Sequence, residues 1–421
     1  MARLKLAKWL YALALLAMPL SYALKDLFGL VGVTWIDPTL ILGLIVFLLM
    51  GFPIKEKGPI WILAFAFVSA FLGAFLLRTS PDRAKSALYV YYVEPARLAL
   101  NIIWYWISIR MLTLDKKFVL RWLAICVGWE FSVAAYLYAA FYDLVPVPDA
   151  VKLYLEVFKA RQTLSWGNFE IYRMAGTFIE SPPFGLFMFC SLVVFVLYLS
   201  DSERMQDKKS RTLAVLGTIC AFLGTVASLS DQMLIALLIL GFAILFAFAG
   251  RTGFARKILL SSVVAVLALY IASALSAKNK TESAFSGDPT GGSFSERSFH
   301  ARYGFKLLLE QPASIVTGIG PGRYGDYAAR TGFFPPTVTS QFTLLDWIVE
   351  YGSLGLMLIG AWLFRIGSHA FSRFGIAGAG ALAALLIANM FQANWMWESW
   401  FLALAFLYAS VPAPEREEQW A

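Results

Sequence analysis

Charge is what this chain has least of. Only 15% of its 421 residues are Asp, Glu, Lys or Arg, where a soluble domain carries about a quarter. The deficit runs along the whole length and comes with 59% hydrophobic residues and a mean hydropathy of +0.68. That combination excludes a water-soluble globule, because most of the surface must face hydrocarbon. Histidine is almost missing: His300 and His369 are the only two, too few for a His-rich metal site. Cys126, Cys190 and Cys220 all fall inside apolar stretches, so neither a disulfide framework nor a metal-ligand spacing is legible. No cofactor and no metal are expected. The net charge of +8 would suit nucleic acid, but the cations sit in short clusters between apolar runs, which is a topology signal and not a binding stripe.

What is present is a series of apolar runs. A membrane span needs about 20 mainly apolar residues, and about twelve candidates occur, near 9–24, 35–52, 59–77, 88–112, 118–142, 182–200, 212–229, 232–250, 258–276, 342–364, 375–392 and 396–411. The first resembles a signal peptide but lacks a clean cleavage signal, so it reads as an uncleaved span. The expectation is an all-α integral membrane protein of about 12 transmembrane helices. Under strict alternation, the clusters Arg3/Lys5/Lys8, Lys55/Lys57, Arg110/Lys116/Lys117, Arg204/Lys208/Lys209/Arg211, Arg251/Arg256/Lys257 and Arg365/Arg373 share one side. Positive charge marks the cytoplasmic side, which puts both termini inside and the long loops outside. The chain thus divides into spans 1–5 (1–142), a first outer loop (143–181), spans 6–9 (182–276), a large outer loop (277–341), and spans 10–12 with a tail (342–421).

The first outer loop holds an amphipathic stretch from Val151 to Phe158, expected to lie on the membrane. The second is Gly/Ser-rich from Ser286 to Ser293, then helical from about Ser295 to Glu310. Loops this long are usually functional or disordered.

Several residues in these loops suit anion chemistry. Arg173, in Tyr-Arg-Met-Ala-Gly-Thr-Phe-Ile-Glu-Ser-Pro-Pro (172–183), sits where the charge rule disfavours a lone arginine. It reads either as a headgroup contact or a salt bridge to Glu170 or Glu180, or as a phosphate clamp, since a guanidinium fork matches phosphate oxygens. Arg297, His300 and Arg302 form the densest basic patch of the outer loops. His300 suits a proton acceptor near neutral pH, and a solvated helix face is the bland alternative. Gly318, Gly320, Gly322 and Gly325 permit tight turns and close approach to a ligand, with Arg323 and Tyr324 among them. Asp346 and Glu350 lie one helical turn apart in the tenth span, where ionisable groups are costly. Trp395, Trp397 and Trp400 read as an interfacial aromatic belt.

These motifs resemble a known family. Arg173-x-x-Gly176-Thr177-Phe178 followed by prolines before a span is similar to the O-antigen ligase and O-antigen polymerase (Wzy) superfamily. So is Arg297, then helix, Gln311-Pro312 and Gly318-Ile-Gly-Pro-Gly-Arg-Tyr. Glu350-Tyr-Gly-Ser-Leu-Gly355 resembles the motif that opens the family's next span. The specific motifs run from 172 to 355; elsewhere the likeness is one of hydropathy.

The resemblance implies a GT-C-like membrane glycosyltransferase of the bacterial inner membrane, with its site on the periplasmic face. It would join polyprenyl-diphosphate-linked repeat units, undecaprenyl diphosphate being the carrier, into O-antigen or exopolysaccharide. Arg173 and Arg297 inherit the diphosphate-binding role by motif, with Arg302 and Arg323 as weaker candidates. Gly318, Gly320, Gly322, Tyr324, Gln341 and Glu350 would contact loop or glycan. Partners would be lipid-linked donor and acceptor, membrane lipids and a chain-length-regulating co-polymerase; nucleic acid is not among them. Two departures matter. Where the ligase branch has His-Asn, this chain has Gln341-Phe342, which favours polymerase over ligase and leaves His300, then Glu180, as candidate base. Where the family has Ser-Arg, this chain has Ser230-Asp231. A lipid or polysaccharide flippase is the alternative from another class.

Overall fold

The computed structural model describes residues 2–27, 37–52, 54, 56–76, 94–149, 163–166, 169–178, 180–200, 208–248, 293–310, 312–328, 342–390 and 396–409, with the backbone alone at 21–27, 73–76, 163–171, 248, 293–298 and 326. The expected ninth span, the stretch 151–158 and Gln341 lie outside the described residues.

Helices make up nearly all of what is described: α1 Ala2–Leu27, α2 Pro38–Leu49, α3 Gly58–Leu76, α4 Glu94–Phe141, α5 Ser181–Ser200, α6 Lys208–Ala227, α7 Asp231–Phe248, α8 Ser293–Glu310, α9 Ser314–Thr317, α10 Tyr324–Ala328, α11 Thr343–Phe374, α12 Ile376–Met390 and α13 Glu398–Ala409. Four of them, α4, α5, α6 and α11, are long and apolar enough to cross a membrane. The all-α class holds, with one small addition. In the first long loop β1 (Thr163–Trp166) and β2 (Phe169–Tyr172) form an antiparallel hairpin, Thr163 opposite Tyr172. Its end is anchored on α4, where Tyr172 stacks on Phe141 at 4.6 Å between centroids.

Local chemistry explains how α4 contains two expected spans. Asp115 leaves the helical region at φ −155°, ψ 74°, and its carboxylate accepts the Phe118 N–H at 3.1 Å. It thereby caps the second half, as a short acidic side chain does at a helix start. Lys8 of α1 closes the kink with a 2.7 Å ion pair.

Small residues set the helix spacing. An added Cβ on Gly217 or Gly224 of α6 would collide with Phe195 or Met188 of α5, and one on Gly380 of α12 with Ala243 of α7. Close backbone approach at glycine is how helices associate where burying apolar surface gives no driving force. α5 is buried along most of its length, with every apolar side chain from Phe184 to Tyr198 except Val196 buried. Trp400 departs from the aromatic-belt expectation. It is fully buried and donates its indole N–H to the Leu385 carbonyl at 3.3 Å, so it belongs to the core.

Candidate functional site

The glycine loop meets α11 at a break in that helix. At Gly352 the backbone turns left-handed (φ 65°, ψ −173°), which interrupts the i→i−4 ladder and frees carbonyls one turn earlier. The loop supplies their donors: Ile319 N–H bonds the Val349 carbonyl at 2.9 Å and Gly320 N–H the Glu350 carbonyl at 3.0 Å. Ser69 of α3 adds its hydroxyl at the same point, 2.7 Å from the Thr317 carbonyl and 3.2 Å from that of Glu350. The approach is too close for side chains. A Cβ on Gly318 (φ 73°) would collide with the Glu350 carbonyl oxygen, and one on Gly352 would sit 2.5 Å from the Gly318 nitrogen. Both glycines of these motifs are thus needed to join loop to helix.

The Glu350 side chain continues the same clamp. Its carboxylate receives the Tyr324 N–H at 3.3 Å and the Gly322 N–H, so Glu350 anchors the loop by backbone donors. Gly322 (φ 69°) backs onto Glu94 at the start of α4, whose Cγ lies 2.5 Å from where a Cβ would be. Arg323 is 1% exposed, with its aliphatic stem against Gly320.

His300 pins α8 to this loop. Its Nδ1 lies 2.7 Å from the Tyr324 hydroxyl, and that hydroxyl also reaches the His300 carbonyl at 3.1 Å. Burial pulls the imidazole down to a pKa of about 4, because a desolvated ring resists charging. Burial also pushes the Tyr324 hydroxyl up, with the carboxylates of Asp346 and Glu350 adding to it. At neutral pH both groups are uncharged, and they join α8 to α10.

Arg173 belongs to a second group, around the turn between α6 and α7. Its Nε–H donates to the Ser228 carbonyl at 3.1 Å, and Met174 N–H bonds the Ala227 carbonyl at 3.0 Å. Burial lowers the guanidinium from its ordinary value, while Asp231 and Glu180 raise it. Asp231, standing where the family pattern has arginine, therefore acts as a counter-charge to Arg173. Three residues after Arg173, the motif docks. Gly176 (φ 56°) lies against Glu130, with no room for a Cβ, and Thr177 gives its N–H to the Glu130 carboxylate at 2.7 Å. The Thr177 hydroxyl lies between the Pro19 carbonyl at 2.7 Å and Glu130 at 3.0 Å.

The structure thus brings His300, Tyr324, Gly318, Gly320, Gly322, Arg323 and Glu350 together, and groups Arg173 with Glu180 and Asp231. Arg302 is exposed on α8, and the Arg297 side chain lies outside the described residues. Three supporting residues escaped the sequence reading: Ser69, Glu94 and Glu130. A buried carboxylate inside an apolar run is a usable signal and would have found Glu130; Ser69 carries no signal of its own. Among the described residues no group of three or more His, Cys, Asp or Glu could hold a metal ion.

Comparison with protein-family models, with curated proteins and with solved structures finds no match. The class that fold and site define is a helical membrane protein in which a glycine loop locks into a broken helix.

Proposed function

We propose that this chain is a membrane glycosyltransferase that polymerises polyprenyl-diphosphate-linked oligosaccharide units, with about twelve spans, a GT-C-like fold, cytoplasmic termini and a periplasmic site in a bacterial inner membrane. The observation that carries the reading is the interlock between Gly318–Gly320 and Val349–Gly352. Two separate stretches of the family-like pattern, 318–325 and 350–355, are mutually required by backbone geometry, which supports treating them as one device.

The chemistry needs anion binding and one proton transfer. The acceptor hydroxyl attacks the anomeric carbon of the donor's first sugar, and the bond from that carbon to the diphosphate oxygen breaks. Polyprenyl diphosphate leaves with the electron pair, and the hydroxyl proton passes to a base. Arg173 and Arg297 hold the diphosphate and disperse its growing charge. Glu180 is the better base. It is exposed and close enough to Arg173 to influence it, whereas His300 is buried and engaged by Tyr324. Gln341 in the ligase-histidine position favours a polymerase over a ligase that moves glycan to lipid A-core or protein.

One observation favours a flippase: a discontinuous membrane helix is a transporter feature, its unwound carbonyls serving as ion ligands. In α11, however, the Val349 and Glu350 carbonyls are occupied by loop N–H groups. That speaks for a structural break.

Arg173→Ala and Arg297→Ala should each abolish the glycan ladder on a gel, in a strain that depends on this gene for chain elongation, at normal protein level. Full ladders from both variants would end the proposal.

A further inference from the structure

The glycine segment is seated between α3 and α11. The Thr317–Gly320 segment is bonded at Ser69 through the Thr317 carbonyl, and at Val349 and Glu350 through the Ile319 and Gly320 N–H groups. From Ser69 to the end of α3 at Leu76 is about 10 Å of helix, and from the start of α11 at Thr343 to Gly352 is about 13 Å, at ~1.5 Å per residue. Two helices independently put the loop below their ends. Irregular backbone at such depth is tolerated where protein buries it, and Gly318, Ile319 and Gly320 are all buried.

The elements flanking this segment keep one side open. α9 exposes Ile315 (44%) and Val316 (53%) immediately before the buried glycines. α8 lies across the first turns of α11, where a Cβ added to Gly304 would meet Leu345 and Val349 at 3.1 Å. Its inner side holds His300, Gly304, Leu307 and Leu308. Its outer side reads Arg302, Phe305, Lys306 and Leu309, an i, i+3, i+4, i+7 stripe on one helix face. Phe305 is 53% and Leu309 76% exposed. Large apolar tips interleaved with cations at the level of a helix start fit the boundary between acyl chains and phosphates, and long basic side chains can bury their stems there while their heads stay at the surface.

We infer that the outer stripe of α8 lies on the phospholipid surface, Arg302 and Lys306 at the phosphates and Phe305 and Leu309 among the upper acyl carbons, with Ile315 and Val316 of α9 deeper in the same leaflet. The occupant is bilayer lipid, and the inference holds whether or not the chain transfers sugars. It gives the loop a mooring that fixes the height of the glycine clamp relative to the headgroups.

Nitroxide labels test this. Phe305→Cys, Leu309→Cys and Val316→Cys are made singly in a chain with Cys126, Cys190 and Cys220 replaced by Ala, and variants with wild-type elution are reconstituted into vesicles of phosphatidylethanolamine and phosphatidylglycerol. Collision with oxygen, which partitions into lipid, is compared with collision with a water-soluble nickel chelate. All three labels should favour oxygen relative to the free label in buffer, and 316 should do so more than 309. Nickel access at 305 and 309 matching the free label would overturn the proposal, leaving the stripe in water. Protection from both reagents would also overturn it, because a protein surface such as a second copy would then cover the stripe.

Discussion

Gly318 and Gly352 both have positive φ, and backbone fills the space where each would carry a side chain: Glu350 and Tyr351 against Gly318, Gly318 and Val316 against Gly352. A non-glycine residue in that region, with ψ near 180°, costs about 1–3 kcal/mol before any clash, and here the clash is with backbone atoms, which cannot rotate away. Gly318→Ala and Gly352→Ala should therefore each lower the melting midpoint of the detergent-solubilised protein by several degrees, or prevent a folded elution peak. Gly360 is the control. It lies in the same helix, is exposed and has nothing within 4 Å of an added Cβ. Gly360→Ala should be neutral or stabilising by up to about 1 kcal/mol through helix propensity. Equal losses at 352 and 360 would refute the steric account. Arg173 makes a related point about single residues. Its motif holds together because Gly176 and Thr177 are fastened to Glu130 and Pro19, so the backbone that carries the arginine is held by its neighbours.

At the scale of elements, α8 and α10 are joined by His300 and Tyr324, and this joint has a pH signature. The folded-state pKa of His300 is depressed to about 4 against about 6.5 when unfolded. Between those values the unfolded chain binds the proton and the folded chain does not. Stability from this group is thus complete above about pH 6.5 and is lost as pH falls towards 4. His300→Gln keeps a polar partner for Tyr324 but cannot titrate. The melting midpoint of wild type should fall more steeply than that of His300→Gln between pH 6.5 and 4.5, and parallel curves would remove the assignment.

Much at this scale was readable in advance. Apolar run length gave nearly all the helices, and the expected boundary between 112 and 118 became the Asp115 kink. The helical reading from 295 to 310 is α8. The hairpin at 163–172 was not readable, because Thr-Leu-Ser-Trp and Phe-Glu-Ile-Tyr are too short to carry a period. The break at Gly352 was hidden too: a single glycine in an apolar run is common in membrane helices, and only the incoming loop distinguishes this one. For the same reason the burial of His300 and Arg323 could not be inferred from a loop sequence rich in polar residues.

For the whole molecule, the fold assembles two motif groups, the glycine clamp on α11 and the Arg173 arm on the α6–α7 turn. The functional account requires both to serve one diphosphate, Arg173 from the first group of loops and Arg297 from the helix that leads to the clamp. Losing one charge-assisted contact costs about 1.5–3 kcal/mol, or roughly 10- to 150-fold in affinity. The deciding measurement is the Kd of purified protein for a polyprenyl diphosphate, for wild type, Arg173→Ala, Arg297→Ala and the double variant. The account predicts a loss of at least about tenfold for each single variant, and a double variant weaker than either by less than the product of the two. Wild-type affinity in either single variant, with elution profiles unchanged, would contradict it.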